Sequence, residues 1–408
     1  MFIDLTPEQA VLRDELRRYF GGLISAEERA AMRTNRHGPA YRDIVRRMGR
    51  DGWLGVGWPA EYGGRGFGQV EQQIFASEAI RADVPLPSVT LQTVGPTLQE
   101  HGSAVQKDFF LPKILAGEIH FAIGYTEPEA GTDLAALRTR AVLDGDEYVV
   151  NGQKIFTTGA HEADYVWLAC RTDPDAPVHK GISILIAATS DPGFSWTPII
   201  THDGAHHVNA TYYSDVRVPV SMRVGPENGG WRLITTQLNH ERVMLGPAGR
   251  IAGMRDRFWD WAAGAGALDE PDVVRALERA GAVLRVNELL NWQVACAETV
   301  NVADASVTKV FSSEQAMRLG SLLYDLAGQY GDPADPATAE LMEFLDVQIK
   351  RNTVLTFGGG VNEVQRELIA SFGLGLERAP RLCRRPLRKR RPGSRRSETA
   401  RRGWRGTR

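Results

Sequence analysis

Cysteine is scarce in this chain: Cys170, Cys296 and Cys383 are the only three in 408 residues. So few thiols cannot build a disulfide framework, which fits a reducing compartment and a cytoplasmic location. Long apolar runs are missing as well. No stretch reaches the roughly 20 residues of a membrane span, and the opening MFIDLTPEQ lacks the apolar core of a secretion signal. Metal-ligand spacing is absent too. His202, His206 and His207 crowd into Thr201-His-Asp-Gly-Ala-His-His207, but no cysteine or carboxylate pair completes a set, and they read as a solvated loop. Net charge is almost nil at −2. That figure hides a split, because Arg381–Arg408 carries thirteen Lys/Arg against Glu398 alone, while 1–380 has 35 basic and 49 acidic side chains. A like-charged block with Pro, Gly and few apolar residues cannot form a core, so a disordered tail is expected. It is either a tether for an anionic partner such as nucleic acid or an extension without function.

What is present is ordinary globular material, 43% hydrophobic and 24% charged. The length exceeds what one core serves, so two or three units are expected. Thr6-Pro7-Glu8-Gln9 reads as a capped helix start, followed by Leu12, Leu16, Tyr19 and Phe20 at helical spacing. Helical patterns run to about Leu115, broken by the glycine-rich segment Trp58–Gly66. From His120 to about Val220 the texture is that of strands: Tyr148–Val150, Tyr165–Ala169, Ile182–Ile186, Thr211–Tyr213 and Val216–Val220, with turn signals at Asp144-Gly145 and Asn151-Gly152. Helical patterns then resume after Trp231 and last to about Leu376.

Two polar segments stand out. Gly124-Tyr-Thr-Glu-Pro-Glu-Ala-Gly-Thr-Asp133 is a turn-rich loop, and Asn151-Gly-Gln-Lys-Ile-Phe-Thr-Thr158 leaves an Asn-Gly turn for a short strand with an aromatic and two hydroxyls. Taken separately they could be the rim of any β-domain. In this order, they resemble the flavin-binding segments of the acyl-CoA dehydrogenase family, and the likeness extends from about residue 5 to about residue 381. The resemblance implies an α+β fold: an N-terminal helical domain (1–117), a middle β-barrel or sandwich domain (118–225), a C-terminal four-helix bundle (226–380) and the basic tail (381–408). Because the likeness stops where the tail begins, a nucleic-acid partner is not expected.

The same resemblance implies FAD as cofactor and removal of an α-proton and a β-hydride from an acyl-CoA, giving the trans-2-enoyl-CoA. Tyr125, Thr126, Gly131 and Thr132 are expected along the flavin and the start of the pantetheine, Phe156 against the flavin ring where the family usually has tryptophan, and Thr158 near N5. Thr132 and Arg242 are expected to contact the acyl-CoA. Many members carry the base in a Tyr-Glu-Gly-Thr motif before a Glu-Ile-Gln-Arg run. Here Glu363-Val-Gln-Arg366 is present, but the catalytic position falls on Gly359 within Phe357-Gly-Gly-Gly-Val361. The isovaleryl and long-chain branches instead use the Glu of Leu-x-x-Glu-Arg, and Leu238-Asn-His-Glu-Arg242 supplies Glu241 there. Gly359 then offers its N–H to the thioester carbonyl.

The segments 230–242 and 355–366 resemble the actinobacterial branch that shortens sterol side chains, implying a steroid-bearing acyl-CoA. Electron-transfer flavoprotein is the expected acceptor. An oxidase or monooxygenase of the same fold, and a structural subunit without activity, are the alternative readings. The adenosine half of the family's flavin site comes from a neighbouring subunit, through Arg-x-x-Phe-Gly and Gln-x-x-Gly-Gly-x-Gly. The first is absent between Trp261 and Gln293, and the second reads Asp325-Leu-Ala-Gly-Gln-Tyr-Gly331. A hetero-oligomer, α2β2, with a related chain that keeps both motifs is therefore expected.

Overall fold

A computed structural model of the chain describes residues 4–244, 246–297 and 301–377, with the side chains of all but 238–244. The expected basic tail (381–408) lies outside the described residues. Six helices come first: α1 (Pro7–Leu23), α2 (Ala26–Thr34), α3 (Pro39–Arg50), α4 (Gln69–Arg81), α5 (Gly95–His101) and α6 (Ala104–Leu115). α1 begins as its sequence dictates. The Gln9 N–H donates to Thr6 Oγ1 at 3.2 Å, the Thr6 N–H donates back to Gln9 Oε1 at 3.0 Å, and Leu12, Leu16 and Phe20 form the buried stripe.

Eight strands follow: β1 (Phe121–Gly124), β2 (Arg140–Asp144), β3 (Glu147–Thr158), β4 (Tyr165–Arg171), β5 (Ile182–Ala188), β6 (Phe194–Ile200), β7 (His206–Pro219) and β8 (Arg223–Val224). They run in the order β6-β7-β3-β2-β4-β5-β8, with β1 parallel to β4. Only Arg140 and Arg171 bridge β2 to β4, so the sheet folds there and its halves face each other. Ala141, Tyr148, Val150, Tyr213, Val216 and Val218 pack from one half against Val166, Leu168, Cys170, Leu185 and Ala187 from the other. The alternate residues of β4 and β5 (Trp167, Ala169, Ile182, Ile184 and Ile186) point the opposite way, into the core of the N-terminal helices. Both faces of these two strands are covered, which explains their continuous apolar sequence.

Six helices complete the described residues: α7 (Gly230–Met244), α8 (Gly249–Gly264), α9 (Pro271–Ala295), α10 (Val302–Tyr330), α11 (Pro336–Val354) and α12 (Asn362–Leu368). Phe258, Trp261, Leu277, Leu323, Leu326, Leu341 and Leu345 form the bundle core of α8–α11. α7 belongs elsewhere, since its Leu233 and Ile234 join the N-terminal core. Arg351 of α11 reaches Asp203, in the β6–β7 turn, at 3.0 Å and so fastens the bundle to the sheet.

Three sequence expectations are corrected. Asn151-Gly152 is no turn but the interior of β3, because the Asn151 side chain spans a bulge in β7. It donates to Asp215 Oδ1 at 2.8 Å and accepts from the Asp215 N–H at 3.0 Å. The two runs Thr211–Tyr213 and Val216–Val220 are one 14-residue strand across that same bulge. His206 and His207 open this strand instead of sitting in a solvated loop. His206 stacks on His161 at 3.9 Å between ring centroids, and His207 Nε2 is 2.9 Å from Asp203 Oδ2. His202 is exposed in the turn.

Candidate active site

The first polar segment leaves β1 and is sewn to β3. The Ile155 N–H donates to the Thr126 carbonyl at 2.8 Å. Glu127 does more. Its carboxylate accepts from the Arg138 N–H at 2.6 Å, the Thr139 N–H at 2.8 Å and Lys154 Nζ at 2.8 Å, while Lys154 also donates to the Tyr125 carbonyl at 3.1 Å. Burial alone would raise the Glu127 pKa, but the Lys154 charge and these donors hold it below the usual carboxylate range. The loop is thus clamped from beneath, leaving Gly131 and Thr132 exposed and Thr126 half-buried at its rim.

β3 carries an extra residue between Lys154 and Thr157. Phe156 sits in that bulge at φ 60°, a left-handed conformation uncommon for a bulky side chain, and the residue is 59% exposed. Thr157 turns inward and Thr158 is exposed again. An exposed flat ring, with the Thr158 and Thr126 hydroxyls nearby in the chain and across the Ile155 bond, suits a planar aromatic ligand with polar edges. This fits the ring end of a flavin. On α10, Asp325 and Gln329, which the resemblance sets at the adenosine end, are exposed, and a carboxylate would repel a pyrophosphate at close range.

Tyr125 lies beneath this rim and is buried. Its hydroxyl donates to Gln237 Oε1 of α7. The same helix includes positions 241 and 242 in its last turn, but the Glu241 and Arg242 side chains lie outside the described residues. Just beyond α7, the Gly246 carbonyl accepts from Asn287 Nδ2 and Asn291 Nδ2, both at 2.9 Å. A Cβ on Gly246 would come within 3.1 Å of Thr308 Cγ2, so a glycine lets this turn lie against α10. One residue along α10, buried Lys309 donates to the Gly360 carbonyl and to Asn362 Oδ1 at 3.3 Å. The end of α7 and the glycine loop therefore meet on the same turn of α10. Gly359 itself has φ 66°, a conformation that a side chain disfavours. Gln237, Glu127 and Lys154 were missed by sequence reasoning. Their signal was only a polar residue on an otherwise apolar helix face and a charge pair 27 residues apart.

Family models for the acyl-CoA dehydrogenase N-terminal, middle and C-terminal domains match residues 6–118, 122–216 and 228–374. Acyl-CoA dehydrogenase FadE29 of Mycobacterium tuberculosis is 68% identical over 387 residues, spanning 93% of this chain and 100% of that protein. FadE26 of the same organism is 46% identical over 401 residues, with the same coverage of each. Among solved structures, the Tcur3481-Tcur3483 steroid ACAD superposes with a TM-score of 0.87 at 48% identity, over 93% of this chain and 100% of that one. The ChsE4-ChsE5 complex from Mycobacterium tuberculosis gives 0.84 at 47%, with equal coverage. With all three domains matched in order and FadE29 similar over its whole length, this chain belongs to the acyl-CoA dehydrogenase family.

Proposed function

We propose that the chain dehydrogenates a bulky, steroid side-chain acyl-CoA to its trans-2-enoyl-CoA, as the base-bearing member of an α2β2 hetero-oligomer. FAD, when bound, supplies the two-electron acceptor for the β-hydrogen. Phe156, Thr126 and Thr158 would hold its ring end, and the 131–132 rim would meet the pantetheine. Glu241 takes the α-proton, which a carboxylate in a dry apolar pocket does well because desolvation raises its pKa towards neutrality. Arg242 contacts the acyl-CoA, and the Gly359 N–H polarises the thioester carbonyl so that the α-proton becomes acidic. Electron-transfer flavoprotein takes the electrons onward.

The observation that carries this reading is the pairing of two positions. The loop position that bears the base in many relatives is here a glycine in the left-handed region, φ 66°, while the helix leading to the same turn of α10 contains Glu241. The steroid class is supported by the likeness to a steroid ACAD, and the hetero-oligomer by the likeness to a two-component complex and by the exposed Asp325. In the flavin-loaded protein, Glu241→Gln should keep its fold and flavin but lose turnover by roughly a thousand-fold. The measurement is mass spectrometry of enoyl-CoA product across steroid and straight-chain acyl-CoAs. Near-normal turnover removes Glu241 as the base, and product from straight chains alone removes the steroid class.

A further inference from the structure

Gln237 is a polar residue in an apolar place. It is 1% exposed, on the same buried side of α7 as Leu233 and Ile234, and its amide is engaged by both preceding parts of the chain, the N-terminal helices and the β-domain. Oε1 accepts from the Tyr125 hydroxyl, which follows β1, and from Trp167 Nε1 of β4 at 3.3 Å. Nε2 donates to Thr97 Oγ1 of α5 at 2.9 Å. Trp167 Nε1 also lies 3.2 Å from the Tyr125 hydroxyl oxygen, and the Thr97 hydroxyl donates to the Thr93 carbonyl at 2.8 Å. The proton inventory is consistent. An indole N–H can only donate, so the oxygen of the amide must face Trp167, and the nitrogen is left for Thr97. Both ends of the amide are therefore specified.

Apolar contacts such as those of Leu233 and Ile234 press a helix against its neighbours but resist sliding and rotation weakly, because they have no direction. Directional bonds to three separate elements remove that freedom. Position 241 lies four residues on, about 6 Å along the axis, with no other residue between them whose side chain is described. We infer that Gln237 is the positioning residue for the last turn of α7, holding the base at position 241 in register with the flavin rim through Tyr125, Trp167 and Thr97. Tyr125 then acts through Gln237 as well as through its backbone. This rests on the reading of Glu241 as base.

The test uses the flavin-loaded complex and the steroid acyl-CoA it turns over fastest. Gln237→Leu should lower kcat by about 10- to 100-fold, the scale of an ångström-sized misplacement. KM should change far less than kcat, the flavin content should be unchanged, and the acid limb of the kcat–pH profile should shift. Tyr125→Phe and Thr97→Val should move kcat and the profile in the same direction by less, and adding Tyr125→Phe to Gln237→Leu should cost little more, as expected for one coupled unit. These two milder variants decide the matter if Gln237→Leu does not fold. Flavin-loaded variants with unchanged kcat and pH profile, or with losses only in KM or flavin content, overturn the inference. Comparison with Glu241→Gln separates the failures. If that variant is inactive while the network variants are normal, only the positioning role falls; if it stays active, the base assignment falls and this inference with it.

Discussion

Lys154 Nζ lies 2.8 Å from the Glu127 carboxylate, with the lysine side chain 0% and the glutamate 7% exposed. Removing one partner from such a pair strands the other charge in a poor solvent. Lys154→Met should therefore cost about 3–5 kcal/mol of stability and loosen the 125–133 loop, measured by urea unfolding and flavin retention. The double variant Lys154→Met/Glu127→Gln should be more stable than Lys154→Met alone. A single variant as stable as the parent would show that the clamp contributes nothing. Because the folded Glu127 pKa is depressed from 4.5, the stability it contributes is present above that pH and is lost as pH falls through the folded value.

Histidine adds a second acid sensitivity, at higher pH. His120 is 5% exposed and tilted against Tyr41 at 5.4 Å between centroids. Burial, then the nearby Arg42 charge, pushes its pKa down from 6.5 to about 4. His161 falls to about 4 through burial and the neighbouring His206 and His207. A depressed histidine binds its proton first in the unfolded chain, so its stability is full above 6.5 and is lost progressively as pH falls towards 4. Tm should drop across that window, and His120→Phe should flatten the drop by up to ~3 kcal/mol. Parallel Tm–pH curves for parent and variant would remove His120 from the account.

Flavin content tests the partner. Expressed alone, the chain should be colourless or lose FAD on gel filtration. Co-expressed with a related chain that keeps the Arg-x-x-Phe-Gly and Gln-x-x-Gly-Gly-x-Gly motifs, it should be yellow, with one FAD per unlike pair. A homotetramer purified alone, holding one FAD per subunit, would refute the hetero-oligomer.

The basic tail should be dispensable. A chain ending at Arg381 should keep its Tm and turnover in the complex, because a block of thirteen cations with one carboxylate has little apolar surface to bury. Lost flavin or aggregation in the truncated protein would make the tail a structural arm.

Much of the protein was legible in the order of its residues. The capping box at Thr6, the helical stripe of Leu12, Leu16 and Phe20, and the apolar runs of β4 and β5 are local patterns, set by backbone periodicity and neighbouring side chains. The polar segments 124–133 and 151–158 carried the family in the same way. Local pattern could not show that Asn151 would reach Asp215 and keep β3 unbroken, that β6 would form along the edge beside β7, or that Phe156 would swing outward on a bulge. The Asn151 bridge and the Phe156 bulge depend on a strand more than fifty residues away, because a bulge exists only relative to its partner. The same holds for Gln237. On its own it is one amide in a helix, and only the packing of three domains brings Thr97, Tyr125 and Trp167 to it. A buried polar group must find its partners wherever the fold delivers them, and the fold alone decided which they are.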